Sequence, residues 1–136
     1  MSDRVRRSRL RLVMLLLIVI PLGLALRAMR QAGGFGFAAE YGGDTLWPIP
    51  FYALFALIRP ATRTGTLLAV VAAITLGIEL LQLVQTPAFQ HARQLPALGF
   101  LLGDQFLLSD LVCILVGIGL CFAIDRFMWP HPETRE

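Results

Sequence analysis

From Gly65 to Val84 the chain runs twenty residues in which only Glu79 and Gln82 break an apolar sequence. As a helix this run is about 30 Å long, the thickness of a bilayer's hydrocarbon core. Comparable runs extend from Leu12 to Leu26, from Tyr41 to Ile58 and from Phe106 to Ile124. Hydrophobic residues make up 57% of the 136 and charged residues 15%. A soluble domain carries about 25% charge, so too few polar side chains remain here to cover a soluble surface. Disorder needs the opposite balance and is excluded. The pattern predicts an all-α, polytopic integral membrane protein, a bundle of four transmembrane helices at about 12–26, 41–58, 65–84 and 106–124. One membrane domain, 12–124, then lies between an Arg-rich segment, 1–11, and a tail, 125–136.

The basic residues orient such a bundle. All twelve are arginine, and Arg4, Arg6, Arg7, Arg9 and Arg11 precede the first run. An arginine block directly before an apolar run reads as a cytoplasmic signal facing anionic headgroups, so no nucleic acid partner is expected. The residues after Leu26 offer no small-x-small cleavage site, which favours an uncleaved first span, bent near Pro21 and Gly23. With four spans, both termini share a side with the Arg59–Arg63 loop, and that side holds nine arginines against Arg27, Arg30 and Arg93 on the other. Both termini are therefore expected in the cytoplasm. In the second span Tyr41 and Trp47 suit the headgroup level, Pro48 and Pro50 make the first turn irregular, and Asp44 falls at the membrane boundary. Leu95 to Leu102 is apolar but too short to cross, and reads as an interfacial or re-entrant piece.

Ionisable side chains inside a span are costly and mark a candidate site. Thr75, Glu79, Gln82 and Thr86 recur at the helical period, one face of one helix, and such a stripe is expected to face partner helices or a wet cavity. Asp44 with Trp47, Ser109 with Asp110, and Arg93 on the following loop all belong to the same end of the bundle. Asp44, Glu79, Gln82, Arg93 and Asp110 are thus the candidate polar pocket, supported by Trp47, Thr75 and Ser109. Each has a plainer reading: Glu79 as packing glue bonded to Gln82, Asp110 and Asp44 as helix N-terminal carboxylates, Arg93 as a loop cation, Trp47 as a belt residue. Asp110, Cys113, Gly117 and Cys121 recur as a small-residue face that lets another helix approach closely. Cys113 and Cys121, about 12 Å apart along a helix, are too distant to form a disulfide. No HExxH, CxxC, P-loop or GxSxG motif occurs. No catalytic residue, metal or cofactor is expected, and an enzyme is the weaker expectation.

The segments GDTLW (Gly43 to Trp47), ELLQL (Glu79 to Leu83), Arg93 and GFLLGDQFLLSDLVCILVGIGL (Gly99 to Leu120) occur in an order that resembles the small four-span bacterial membrane proteins grouped as domain of unknown function 2809. A more distant likeness is to VanZ-like proteins, in which Glu79, Gln82, Arg93 and Asp110 would occupy the Glu-x-x-Gln, arginine and later aspartate positions. This chain lacks the asparagine those proteins often carry after the aspartate. The first resemblance implies a multi-pass protein of the bacterial cytoplasmic (inner) membrane without a known cofactor. The second implies, by analogy, a link to glycopeptide tolerance. The expected function is binding or moving a polar-headed lipid or cell-envelope precursor through the outer-leaflet pocket. The alternative is a non-catalytic structural subunit of a membrane complex. Expected partners are membrane lipids and either further copies of the chain or a membrane partner protein.

Overall fold

The computed structural model describes residues 6–34, 36–102 and 108–130. Among these the chain forms seven α-helices and no strand: α1 (Arg9–Gln31), α2 (Phe37–Leu46), α3 (Pro48–Ile58), α4 (Thr64–Leu81), α5 (Pro87–Arg93), α6 (Pro96–Leu102) and α7 (Leu108–Met128). Three of them, α1, α4 and α7, are long and apolar enough to cross a membrane. Only 11% of the most apolar stretch of α1 is buried inside the protein, and Leu17 and Ile18 are among the side chains it leaves exposed. Exposed apolar surface on that scale suits a hydrocarbon solvent and not water.

The second expected span, 41–58, is not one helix. Pro48 has no N–H to return to the preceding turn, and its ring crowds the carbonyl of residue 44. The helix therefore stops at Leu46, Trp47 makes a tight turn back to the Asp44 carbonyl (3.3 Å), and α3 starts with Pro48 in its first turn, where a missing N–H costs nothing. At 10 and 11 residues, α2 and α3 are each about half the length a crossing needs. The third span also ends early. Gln82 is the C-cap of α4, so Thr86 is not on its face; Thr86 caps α5 instead, accepting from the Phe89 N–H (3.5 Å) ahead of Pro87. The short apolar piece after Leu95 is the helix α6. For the fourth span, Phe106 and Leu107 lie outside the described residues, and α7 continues past Ile124 to Met128, taking Asp125 into the helix.

α1 packs on α2 and α3, while α7 packs on α2, α3 and α4. Gly42, Gly43 and Gly117 make the close approaches. A Cβ on Gly43 would lie 2.9 Å from Arg27 Cγ, and one on Gly117 only 2.3 Å from the Thr45 carbonyl oxygen. The small-residue face of α7 is buried as the spacing predicts, with Cys113, Gly117 and Cys121 inside. The apolar core formed by Leu12, Ile49, Tyr52, Ala53, Val71 and Cys121 fills the half of the bundle that holds the start of α1 and the end of α7.

Candidate functional site

The site starts from the polar stripe of α4. Thr75 is fully buried and donates its hydroxyl to the Val71 carbonyl one turn back (2.8 Å), so its polarity is absorbed within its own helix. One turn further on, Glu79 is only 7% exposed, and its Oε2 is buried without a hydrogen-bond partner among the described residues. Gln82 is equally buried, and its Oε1 also lacks a partner among the described residues. Two unsatisfied acceptors, three residues apart on one face, are an unstable arrangement in a dry interior, where each is worth about 1–3 kcal/mol of lost hydrogen bonding. They call for a donor.

The charged groups whose fields act on Glu79 are Asp110, Asp44 and Arg27. Asp110 is half-buried in the first turn of α7, beside half-buried Ser109. Asp44 accepts from Arg27 Nη2 (3.4 Å) and Arg30 Nη1 (3.2 Å), an ion-pair link between α2 and α1. The Arg27 guanidinium also lies over the Trp47 ring, 4.9 Å from its centroid, and Trp47 meets Phe51 edge-on. Beside this stack an apolar cleft of about 300 Å³ opens between α1 and α2–α3, lined by Val19, Gly23, Leu24, Arg27, Trp47 and Phe51. The fold thus gathers Asp44, Glu79 and Asp110 into one electrostatic neighbourhood, with Gln82 one turn above Glu79. Trp47 faces the α1 side of it.

Arg93, the last residue of α5, meets the end of α4. Its Nη2 donates to the carbonyls of Leu81 (3.3 Å), Gln82 (3.2 Å) and Val84 (3.2 Å), and its Nη1 to Gln85 Oε1 (3.5 Å). These carbonyls include the last ones of α4, which have no partner within the helix, and a cation there also meets the negative end of the helix dipole. Arg93 therefore closes α4 just beyond Gln82 and holds the stripe in place. Replacing it with methionine, which keeps the bulk and removes the donors, is expected to cost about 1–3 kcal/mol. Amide hydrogen exchange at Leu83 to Gln85 should rise by at least tenfold while α1 is unaffected; unchanged exchange there would sink this assignment.

A second polar constellation, at the opposite end, is absent from the sequence reading. Arg7 is 2% exposed and Asp125 1%. Arg7 Nε and Nη2 donate to the two Asp125 oxygens (2.5 and 3.1 Å), Nη1 to the carbonyls of Pro60 (3.2 Å) and Thr62 (2.6 Å), and Nη2 also to Thr64 Oγ1 (3.0 Å). Tyr52 and Thr64 donate their hydroxyls to Asp125 as well. All five guanidinium N–H groups are used, so this cluster is a closed structural lock and leaves a ligand no valence to fill. Its sequence signal is the small-residue face itself. Asp125 follows Cys121 by four residues, as Cys121 follows Gly117. Among the described residues no group of three or more His, Cys, Asp or Glu side chains is arranged to hold a metal ion.

The fold and site together define a class: a small all-helical protein with membrane-length helices, carrying a buried, acceptor-rich polar group at one end. The chain belongs to the family described as protein of unknown function (DUF2809), whose model matches residues 34–118. The matched stretch holds the stripe and the carboxylates around it, from Asp44 to Asp110, and leaves out the whole of α1, with Arg27, and Asp125. No curated protein and no solved structure matches the chain.

Proposed function

We propose that this protein binds a polar-headed membrane lipid or cell-envelope precursor, with Glu79 and Gln82 accepting hydrogen bonds from hydroxyl or amine donors of its headgroup. The observation that carries the reading is the pair of buried oxygens without a partner among the described residues, Glu79 Oε2 and Gln82 Oε1. A stripe kept only for helix packing would be paired within the protein, as Thr75 is. Asp44 and Asp110 add negative potential that favours a donor over an acceptor. Arg93 enters as a positioning residue, holding the end of α4. The cleft beside Arg27 and Trp47 gives an acyl chain a place next to this end of the bundle.

The same reading includes four crossings of a bacterial cytoplasmic membrane, with α2 and α3 together forming a broken fourth span. Support comes from chain reach. Arg7, before α1, hydrogen-bonds Thr62, after α3, so α2 and α3 together return the distance that the 23 residues of α1 cover outward. The end of α7 joins the same cluster through Asp125. The arginine excess on that side favours the cytoplasm for both termini. The looser VanZ-like likeness, at Glu79, Gln82, Arg93 and Asp110, is compatible with a cell-envelope setting and fixes no activity.

Native mass spectrometry of the gently purified protein, with identification of retained lipid, tests the proposal on the wild type and on Glu79→Leu. The wild type should retain a defined lipid with a donor-bearing headgroup, and Glu79→Leu should lose it. The variant should at the same time unfold no earlier than the wild type, because leucine removes an unsatisfied buried oxygen. The same nonspecific lipids in both proteins would overturn the proposal and favour the non-catalytic structural subunit.

A further inference from the structure

We propose a second lipid site at the opposite end of the bundle, where an anionic phospholipid lays an acyl chain between α3 and α4 and its phosphate against Arg59 and Arg63. It does not rest on the reading of Glu79. A groove of about 270 Å³ runs between the two helices, walled by Phe55, Ile58, Leu67 and Val70. At its end it reaches Arg59 and Thr62, and these two residues also line a hollow of about 470 Å³ completed by Pro60, Ala61 and Arg63. An apolar channel thus ends in a cationic cup, the two-part shape of a phospholipid.

The electrostatics fix the sign of the headgroup. Arg59 and Arg63 are exposed, and neither side chain makes a hydrogen bond or ion pair among the described residues. Among the described residues the carboxylate at this end is Asp125, consumed by Arg7, Tyr52 and Thr64. The other described carboxylates belong to α2, to the far end of α4 and to the start of α7. Arg6, Arg9 and Arg126 add to the positive potential around the cup. The first turn of α4 contributes as well: no side chain caps it, and a Cβ on Gly65 would meet nothing within 4 Å, so a phosphate oxygen can approach its amides. An anionic peptide or a free phosphate could satisfy the arginines. Neither would use the groove, which follows two helices into the apolar zone.

The test is a competition between phosphatidylglycerol and phosphatidylcholine of identical chains, offered in equal amounts to the purified full-length chain and read by native mass spectrometry. Two guanidinium groups facing one phosphate should give the wild type about a tenfold preference for phosphatidylglycerol. Arg59→Gln combined with Arg63→Gln should bring the ratio to near parity. Arg30→Gln, at the other end, should keep it. Val70→Trp, which fills the groove without changing charge, should reduce the phosphatidylglycerol adduct severalfold. Parity in the wild type would overturn the proposal, and so would a preference that survives the double substitution. Displacement of the lipid by millimolar inorganic phosphate, with Val70→Trp silent, would overturn it in favour of a simple anion site.

Discussion

Asp125→Ala is expected to lower the stability of the fold by about 3–5 kcal/mol, the cost of removing one partner from a buried ion pair. The substitution strips Arg7 of its two carboxylate acceptors while its guanidinium stays enclosed. It also leaves the Tyr52 and Thr64 hydroxyls without the oxygen to which they donate. Four parts of the chain separate at once: the segment before α1, α3, the turn into α4 and the end of α7. Arg7→Ala should cost less, since Asp125 keeps both hydroxyl donors. Removing the whole network, by Arg7→Met, Tyr52→Phe and Asp125→Leu together, should restore most of the loss, because a well-packed apolar set needs no compensation. Thermal unfolding followed by circular dichroism in mild detergent, with size-exclusion profiles, measures the series. An Asp125→Ala protein as stable as the wild type would mean that the lock contributes nothing.

The second large effect belongs to Gly117. A methyl group there would meet the Thr45 carbonyl oxygen at 2.3 Å and the Pro48 ring at 2.8 Å. Neither can yield cheaply: the first is backbone and the second a ring that ends one helix and starts the next. Gly117→Ala must therefore push α7 away from the α2–α3 junction, and about 1–3 kcal/mol of destabilisation is expected. Gly119→Ala is the matched control. It lies half a turn away, a Cβ on it would meet nothing within 4 Å, and alanine's better helix propensity should make it neutral or slightly stabilising. Equal unfolding midpoints for the two variants would contradict the close approach of α7 to this junction.

The contrast between these two glycines shows where sequence reading stops. Both sit in the same GIGL stretch of one apolar run. The period of four from Cys113 through Gly117 to Cys121 picks out the buried one, and Asp125 is the next step of that series. From the sequence Asp125 reads as the first residue of a polar tail, because a carboxylate beside an arginine at the end of an apolar run usually lies in water. Only the arrival of Arg7 from the other terminus makes its burial tolerable. The partners of Arg93 lie beyond sequence reading for a related reason. A cation on an outer loop has many uses, and its bond to the end of α4 depends on how α5 folds back along the chain.

Composition and periodicity by themselves determined that the chain is helical, that it carries helices of membrane length, and that Glu79 and Gln82 share a face. These follow from local rules, the 3.6-residue repeat and the cost of charge in hydrocarbon, which need no knowledge of neighbours. The break at Trp47 lay partly within reach, since Pro48 and Pro50 announce it, although the run's length suggested one continuous span. Tertiary structure alone decided which polar groups are paired and which are left wanting: Arg7 with Asp125, Asp44 with Arg27 and Arg30, the Arg93 Nη groups with the end of α4, and, among the described residues, Glu79 Oε2, Gln82 Oε1 and Arg93 Nε with nothing. Pairing is a property of distances between segments far apart in the chain, and no periodicity within one helix encodes it.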